Sequence, residues 1–226
     1  MRAHGSAFVA LALMASACMP VVPARAPLRQ SAKPEPRSIE HEPQLRLPVT
    51  GAWIVMQGYH GAETHRGYAA YALDLVMLDA DGQAYTRSGR RTQDWYSFGA
   101  EVLASADGVV VRAIDHFPDN HVMGKAKDAN TVIVQHGAVL SEYVHLQHGS
   151  LRVRVGDSVK TGQVLALAGS SGAETPHLHW ALLSSLEPIR TRPASFAHYE
   201  MRDADGAWRA ASGIPQLREV IRHAPK

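Results

Sequence analysis

The 226-residue chain has one cysteine, Cys18, so no disulfide can staple it and its stability must come from packing. No stretch is both long and apolar enough to span a bilayer comfortably. A formal net charge of +2, with no polybasic run beyond a short local one, gives no electrostatic basis for a nucleic-acid partner. Helical periodicity is scarce, and the first candidate amphipathic helix is IPQLREVIRHA near the end. What the chain does have is 46% hydrophobic residues against 19% charged, a composition that suits a packed core. It also has 13 histidines, enough to make a histidine-rich site credible.

The start reads as an export label. Arg2 and His4 precede the apolar run AFVALALMASA, which closes on small residues and defines a signal peptide over 1–18. Ala15-Ser16-Ala17 fits an ordinary cleavage site, while MASAC resembles a bacterial lipobox that would leave Cys18 as a lipidated first residue. Ala15 stands where leucine is typical of that box. The expected location is therefore the cell envelope or periplasm, with a lipid anchor at Cys18 as the favoured form. Residues 19–48 are rich in proline, lack an apolar period, and read as an extended tether. A folded domain over 49–190 and a C-terminal extension over 191–226 complete the expected organisation.

Within the domain, β-rich runs alternate with turn signals. TGAWIVMQG, AAYALDLVML, EVLASADGVVVRAI, NTVIVQHGAVLSEYVHL, LRVRVGDSVKTGQVLALAGS and TPHLHWALL are the candidate strands. Asp81-Gly82, Asp107-Gly108 and Gly156-Asp157 mark tight connections. The pattern predicts a mainly β fold, an antiparallel sandwich or barrel-like domain. DADGQAYTRSGRRTQDWYSFG and HFPDNHVMGKAKDAN read as long loops of the kind that border clefts.

TPHLHWALL carries two imidazoles on alternate positions, His177 and His179. In a strand, residues two apart share a face, so the rings stand together while Leu178 and Trp180 point the other way. Each neutral imidazole brings a donor and an acceptor that a core must satisfy, so the pair makes sense beside a metal or a reacting group. A single inward histidine is more often a satisfied core residue, so companions decide the matter. Asp74 opens the apolar run LDLVML, where an unpaired carboxylate would be costly. His65 precedes it in THRGYAAYALD, and His145 ends the apolar run SEYVHL. A hydrolytic zinc site uses three nitrogen or oxygen ligands, leaves a position open for water, and lowers that water's pKa. Further imidazoles can move protons and stabilise an oxyanion. Spacing alone does not say which of the five are ligands.

HRGYAAYALD, DGVVV, NTVIVQHG, SEYVHL, VRVGDSVKTGQVLALAGSSG and TPHLHWAL occur here in the order seen in the M23 family of zinc metallopeptidases, the LytM/lysostaphin type, which this chain resembles over roughly residues 50–183. The resemblance implies one zinc ion per chain held by His65, Asp74 and His179. It implies His145 and His177 as the catalytic pair, a groove on an antiparallel β domain, and peptide cross-links or stem peptides of peptidoglycan as substrate. Three departures stand out. The aspartate follows the first histidine by nine residues rather than four, and His60 is a rival first histidine, though THRG leading into YALD favours His65. Residues 79–98 replace a short turn and would narrow or cap the groove. The segment after Glu187 has no clear counterpart.

Other residues carry weaker signals. Tyr59 is read as a packed phenol before an oxyanion ligand, and Asn130 as a partner for strand-end backbone groups. Arg87, Arg90 and Arg91 belong to a solvated loop, with recognition of substrate carboxylates as the alternative. His116, His121, His136 and His148 are read as surface or loop residues. The leading expectation is an exported zinc endopeptidase acting on the cell wall. The alternative is a non-catalytic module of the same family that binds or activates another wall hydrolase, a role such modules typically reach by losing ligands. A third reading, a biotinyl-type carrier hairpin with Lys160 as the modified residue, is disfavoured because SVKTG lacks the expected flanking methionines.

Overall fold

The computed structural model describes residues 43–119 and 128–224. The expected signal peptide, Cys18, most of the tether, His121 and part of the second long loop lie outside the described residues. Among the described residues the chain is built almost wholly of strands. In order they are β1 (Ala52–Gln57), β2 (Ala72–Leu78), β3 (Glu101–Leu103), β4 (Gly108–Ile114), β5 (Thr131–His136), β6 (Val139–Val144), β7 (Ser158–Val159), β8 (Val164–Leu167), β9 (Leu178–Leu186), β10 (Ile189–Arg192), β11 (Phe196–Arg202), β12 (Trp208–Gly213) and β13 (Val220–His223). Two single 3-10 turns, Gly67–Ala69 and Thr92–Asp94, are the helical elements among them.

Eleven strands form one antiparallel sheet in the order β12-β11-β13-β1-β2-β9-β6-β5-β4-β7, with β10 paired to β9. β3 and β8 form a second, two-stranded sheet. The fold is mainly β, antiparallel and sandwich-like, as the alternating runs predict. One face of the large sheet makes the core: Trp53 and Val55 of β1, Leu73 and Leu75 of β2, Val132 and Val134 of β5, Tyr143 of β6, and Trp180 and Leu182 of β9. Val102 of β3 and Leu165 of β8 join the same cluster, so the small sheet packs on this face. Burying each of these side chains contributes about 1.5–3 kcal/mol. The residues between them in sequence, Ala72, Asp74, His179, Ala181, Glu142 and Val144, therefore lie on the opposite face.

One stretch differs from the sequence expectation. IPQLREVIRHA holds no helix among the described residues; its second half is β13, which pairs with both β1 and β11. Val220 and Ile221 are β-branched, and Ile221 is fully buried against the core, so sheet pairing outweighs a weak helical spacing. Residues 191–224, expected as an extension, contribute strands to the same sheet as the histidine-bearing β9. Leu45 and Leu47, at the end of the expected tether, are buried in the core, and Ala197 N–H donates to the Leu45 carbonyl.

Candidate metal centre

β2 and β9 are neighbours, and their register sets Asp74 directly opposite His179. Nδ1 of His179 lies 2.9 Å from Oδ1 of Asp74. His65 reaches the same oxygen from the loop after β1, with Nε2 at 3.2 Å. One ligand atom from each of His65, Asp74 and His179 lies within 4.8 Å of the other two. A tetrahedral zinc site with ligand distances near 2.05 Å separates its ligand atoms by about 3.3 Å. The three side chains are thus close to a metal-holding arrangement.

The tautomer of His65 sharpens that fit. Its ring is fully buried, and Nδ1 is 2.8 Å from the Gly58 carbonyl, which only accepts, so Nδ1 carries the proton. Nε2 then presents a lone pair to the Asp74 carboxylate, and no hydrogen bond satisfies that buried atom. Two lone-pair atoms this close are repulsive unless a cation stands between them. Backbone carbonyls that fix the second nitrogen are the usual supports of histidine ligands. Burial alone would raise the Asp74 carboxyl, but hydrogen bonding to His179 and the nearby charges of His179 and His177 hold it well below the usual carboxylate range. The Asp74 carboxyl is therefore ionised at neutral pH.

His145 and His177 complete the cluster. His177 places Nε2 3.7 Å from Oδ1 of Asp74, while its Nδ1 lies 2.9 Å from the Thr175 carbonyl. The His145 and His177 rings are 4.6 Å apart between centroids, and His145 and His179 are 6.0 Å apart. His145 directly follows β6 and has a left-handed backbone, φ +63°, an unusual conformation for a residue with a side chain. Its Nδ1 donates to the Ser171 carbonyl at 2.7 Å, leaving Nε2 unprotonated. Burial, reinforced by the neighbouring His177 and His179, pushes the His145 imidazole down to about 3. Burial lowers His177 as well, against the opposing charge of Asp74. Both rings are neutral at neutral pH, each with Nδ1 on a backbone carbonyl and Nε2 unprotonated.

A buried strut holds this strand end. Asn130 accepts the His116 and Phe117 backbone N–H groups on Oδ1 and donates through Nδ2 to the Phe117 and Leu146 carbonyls. Ser171 Oγ accepts the Asn130 N–H and donates to the Leu146 carbonyl. Asn130 thus satisfies strand-end backbone groups, as its position in the sequence implies.

The remaining expected residues fall elsewhere. His60 is exposed, has φ +54°, and packs its ring on Tyr71 rather than on the cluster. Tyr59 OH accepts the Ala194 N–H at 2.8 Å, a packing and positioning contact. In the 79–98 loop, Arg87 pairs with Asp94 and Trp95 Nε1 donates to the Gly89 carbonyl. No hydrogen bond or ion pair joins that loop to the five site residues among the described residues. Lys160 is exposed and paired with Asp107. His136, read as a surface residue, is instead buried, with its ring nitrogens on the Asp107 carbonyl and Ser141 Oγ. The reason is the β5–β6 pairing, which seats His136 above a polar chain running through Ser141 and Tyr143. Sequence reasoning passed over Gln57, Ser171 and Glu142. Glu142 shares the site face, and burial raises its carboxyl against the charges of His179 and Arg112. The pairing of β6 with β9 would have disclosed it; the local pattern does not.

An antiparallel β domain carrying a largely buried histidine–aspartate–histidine triad, with two neutral histidines beside it, is a frame suited to a divalent metal flanked by imidazoles. The family model for peptidase family M23 matches residues 93–191. A curated relative, lipoprotein NlpD of Yersinia enterocolitica, is 34% identical over 101 residues, covering 43% of this chain and 94% of that sequence. The chain belongs to peptidase family M23. The peptidoglycan DD-endopeptidase ShyB of Vibrio cholerae is 34% identical over 97 residues, 42% of this chain, and the chain spans only 19% of that protein's length. Among solved structures, the catalytic domain of lysostaphin from Staphylococcus simulans is 20% identical, covering 59% of this chain and 80% of that one with a TM-score of 0.36. The family-model match begins after His65 and Asp74, so it does not itself cover those two residues; the geometry groups them with His179.

Proposed function

We propose that this chain is an exported zinc endopeptidase that hydrolyses peptide cross-links or stem peptides of peptidoglycan. The observation that carries the reading is the orphaned Nε2 of His65, aimed at an anionic Asp74 that also faces His179. Two imidazoles and one carboxylate suit zinc, whose preferred ligands are nitrogen and oxygen at tetrahedral spacing. When bound there, zinc supplies Lewis acidity, easing deprotonation of water and polarising a scissile carbonyl. His145 and His177 do the rest. Each has its Nδ1 committed to a backbone carbonyl, so Nε2 is the atom that takes a proton from the attacking water or returns it to the leaving amine. Once protonated, either ring is also a donor to the developing oxyanion. The similarity to a peptidoglycan DD-endopeptidase supports the wall peptide as the substrate class.

Retention of all five positions in one cluster argues against a non-catalytic role. Export, with a lipid anchor at Cys18, belongs to the same proposal and is supported by the sequence of residues 1–18; among the described residues no helix is long and apolar enough to cross a membrane. The test is zinc analysis of purified protein together with mass spectrometry of muropeptides released from defined sacculi. The reading expects one zinc per chain and new peptide ends, both lost in His179→Ala. Zinc without any cleavage would assign the chain to the non-catalytic class instead.

A further inference from the structure

β1 does not run regularly beside β2. Val55 pairs with Leu75, but the next paired residues are Gln57 and Asp74, so two residues of β1 stand against one of β2. A regular ladder would set Met56 opposite Asp74 and turn Gln57 toward the core. The bulge instead leaves Met56 exposed and brings Gln57 onto the site face, the kind of re-aiming that bulges beside functional sites perform.

The re-aimed amide meets both halves of the metal centre. Gln57 Nε2 donates to Oδ2 of Asp74 at 2.9 Å, the oxygen other than the one facing the histidines. Nε2 also donates to Thr64 Oγ1 at 2.7 Å. Oε1 accepts the backbone N–H groups of Glu63 and Thr64, each at 3.1 Å, immediately before His65. The adjoining Gly58 carbonyl fixes the His65 tautomer. Gly61 makes the room: a Cβ there would stand 2.4 Å from Gln57 Cγ and 2.7 Å from Oε1. This amide is fully used, and all of its uses converge on Asp74 and the loop that carries His65.

We infer that Gln57 is the positioning residue of the metal centre: it occupies Oδ2 of Asp74 so that Oδ1 is presented to the ion, and it locks the 61–65 loop so that His65 Nε2 meets that oxygen. The inference rests on the metal-centre reading above. Supporting groups of this kind typically account for 10- to 100-fold in metal affinity. Gln57→Met keeps the length and apolar stem of the side chain and removes every one of these hydrogen bonds. Gly61→Ala leaves Gln57 in the sequence but displaces it.

The experiment is a competition titration of zinc against a chromophoric chelator on the whole 226-residue chain, with melting of the metal-free protein and the visible spectrum of the cobalt(II)-loaded protein alongside. Gln57→Met is expected to weaken zinc binding about 10- to 100-fold and Gly61→Ala in the same direction. The cobalt bands should change as Oδ2 is released, while melting of the metal-free protein moves little. Wild-type zinc affinity and an unchanged cobalt spectrum in both variants would overturn the inference and leave the metal centre standing. A wild-type chain that binds no zinc would overturn both. Should Gln57→Met fail to fold, Gly61→Ala decides alone.

Discussion

Asp74 and His179 are 105 residues apart in the chain, yet they face each other at one register position of β2 and β9, with Nδ1 2.9 Å from Oδ1. That contact is made by the sheet. Each strand alternates core and site residues, so Leu73, Leu75, Leu178 and Trp180 anchor the pair from behind. A rigid floor of this kind holds ligands more firmly than a loop would.

Asp74→Asn should abolish stoichiometric zinc binding, because it removes the anionic charge while keeping the size of the side chain. Zinc content by elemental analysis is expected to fall from one per chain to near zero. Melting of the metal-free protein should shift by no more than a few degrees, about what a change near 1 kcal/mol produces in a domain of this size.

His145→Ala should separate proton transfer from metal binding. His145 lies beside the triad without belonging to it, and its loss should lower kcat on a wall peptide by about 10²- to 10⁴-fold, the usual contribution of a general acid or base. Zinc stoichiometry should remain at one. Loss of zinc from this variant would move His145 from the catalytic pair into the ligand set.

Asn130→Ala should destabilise the fold and slow turnover together. The side chain satisfies backbone groups of His116, Phe117 and Leu146 next to the strained His145, and removing it leaves several of them buried without partners. A cost of about 3 kcal/mol is expected, read from urea unfolding. Ser171→Ala, which removes only the hydroxyl at the edge of the strut, should cost less.

His136 should make stability depend on pH. Burial holds its folded-state pKa below the ordinary 6.5, although the Asp107 carbonyl and carboxylate pull it up. Below pH 6.5 the unfolded chain takes up a proton that the folded imidazole refuses. The contribution is therefore full above pH 6.5 and is lost as the pH falls toward the folded-state value. His145 and His177 act in the same direction, so the measurement is a comparison. The drop in urea midpoint between pH 7.5 and pH 5.5 should be smaller in His136→Gln than in the wild type.

Much of this protein was legible before folding. The period of two in TPHLHWALL places His177 and His179 on one face and Leu178 and Trp180 on the other, because strand geometry is local. The β-rich runs and their turn signals gave the fold class on the same grounds. The roles of His65, Asp74 and His145 came from resemblance rather than from spacing. The structure brings those residues together with the H-x-H pair.

Contacts between distant strands were not legible. IPQLREVIRHA looked helical until its second half paired with β1, a partner well over a hundred residues earlier. The burial of His136 and the arrival of Gln57 opposite Asp74 each depend on strand pairing or on a bulge. The sequence alone determined which residues share a face within a strand, since that follows from backbone alternation. Only the tertiary structure decided which faces meet and which nitrogen is left without a partner, since register is fixed by packing summed over the whole sheet.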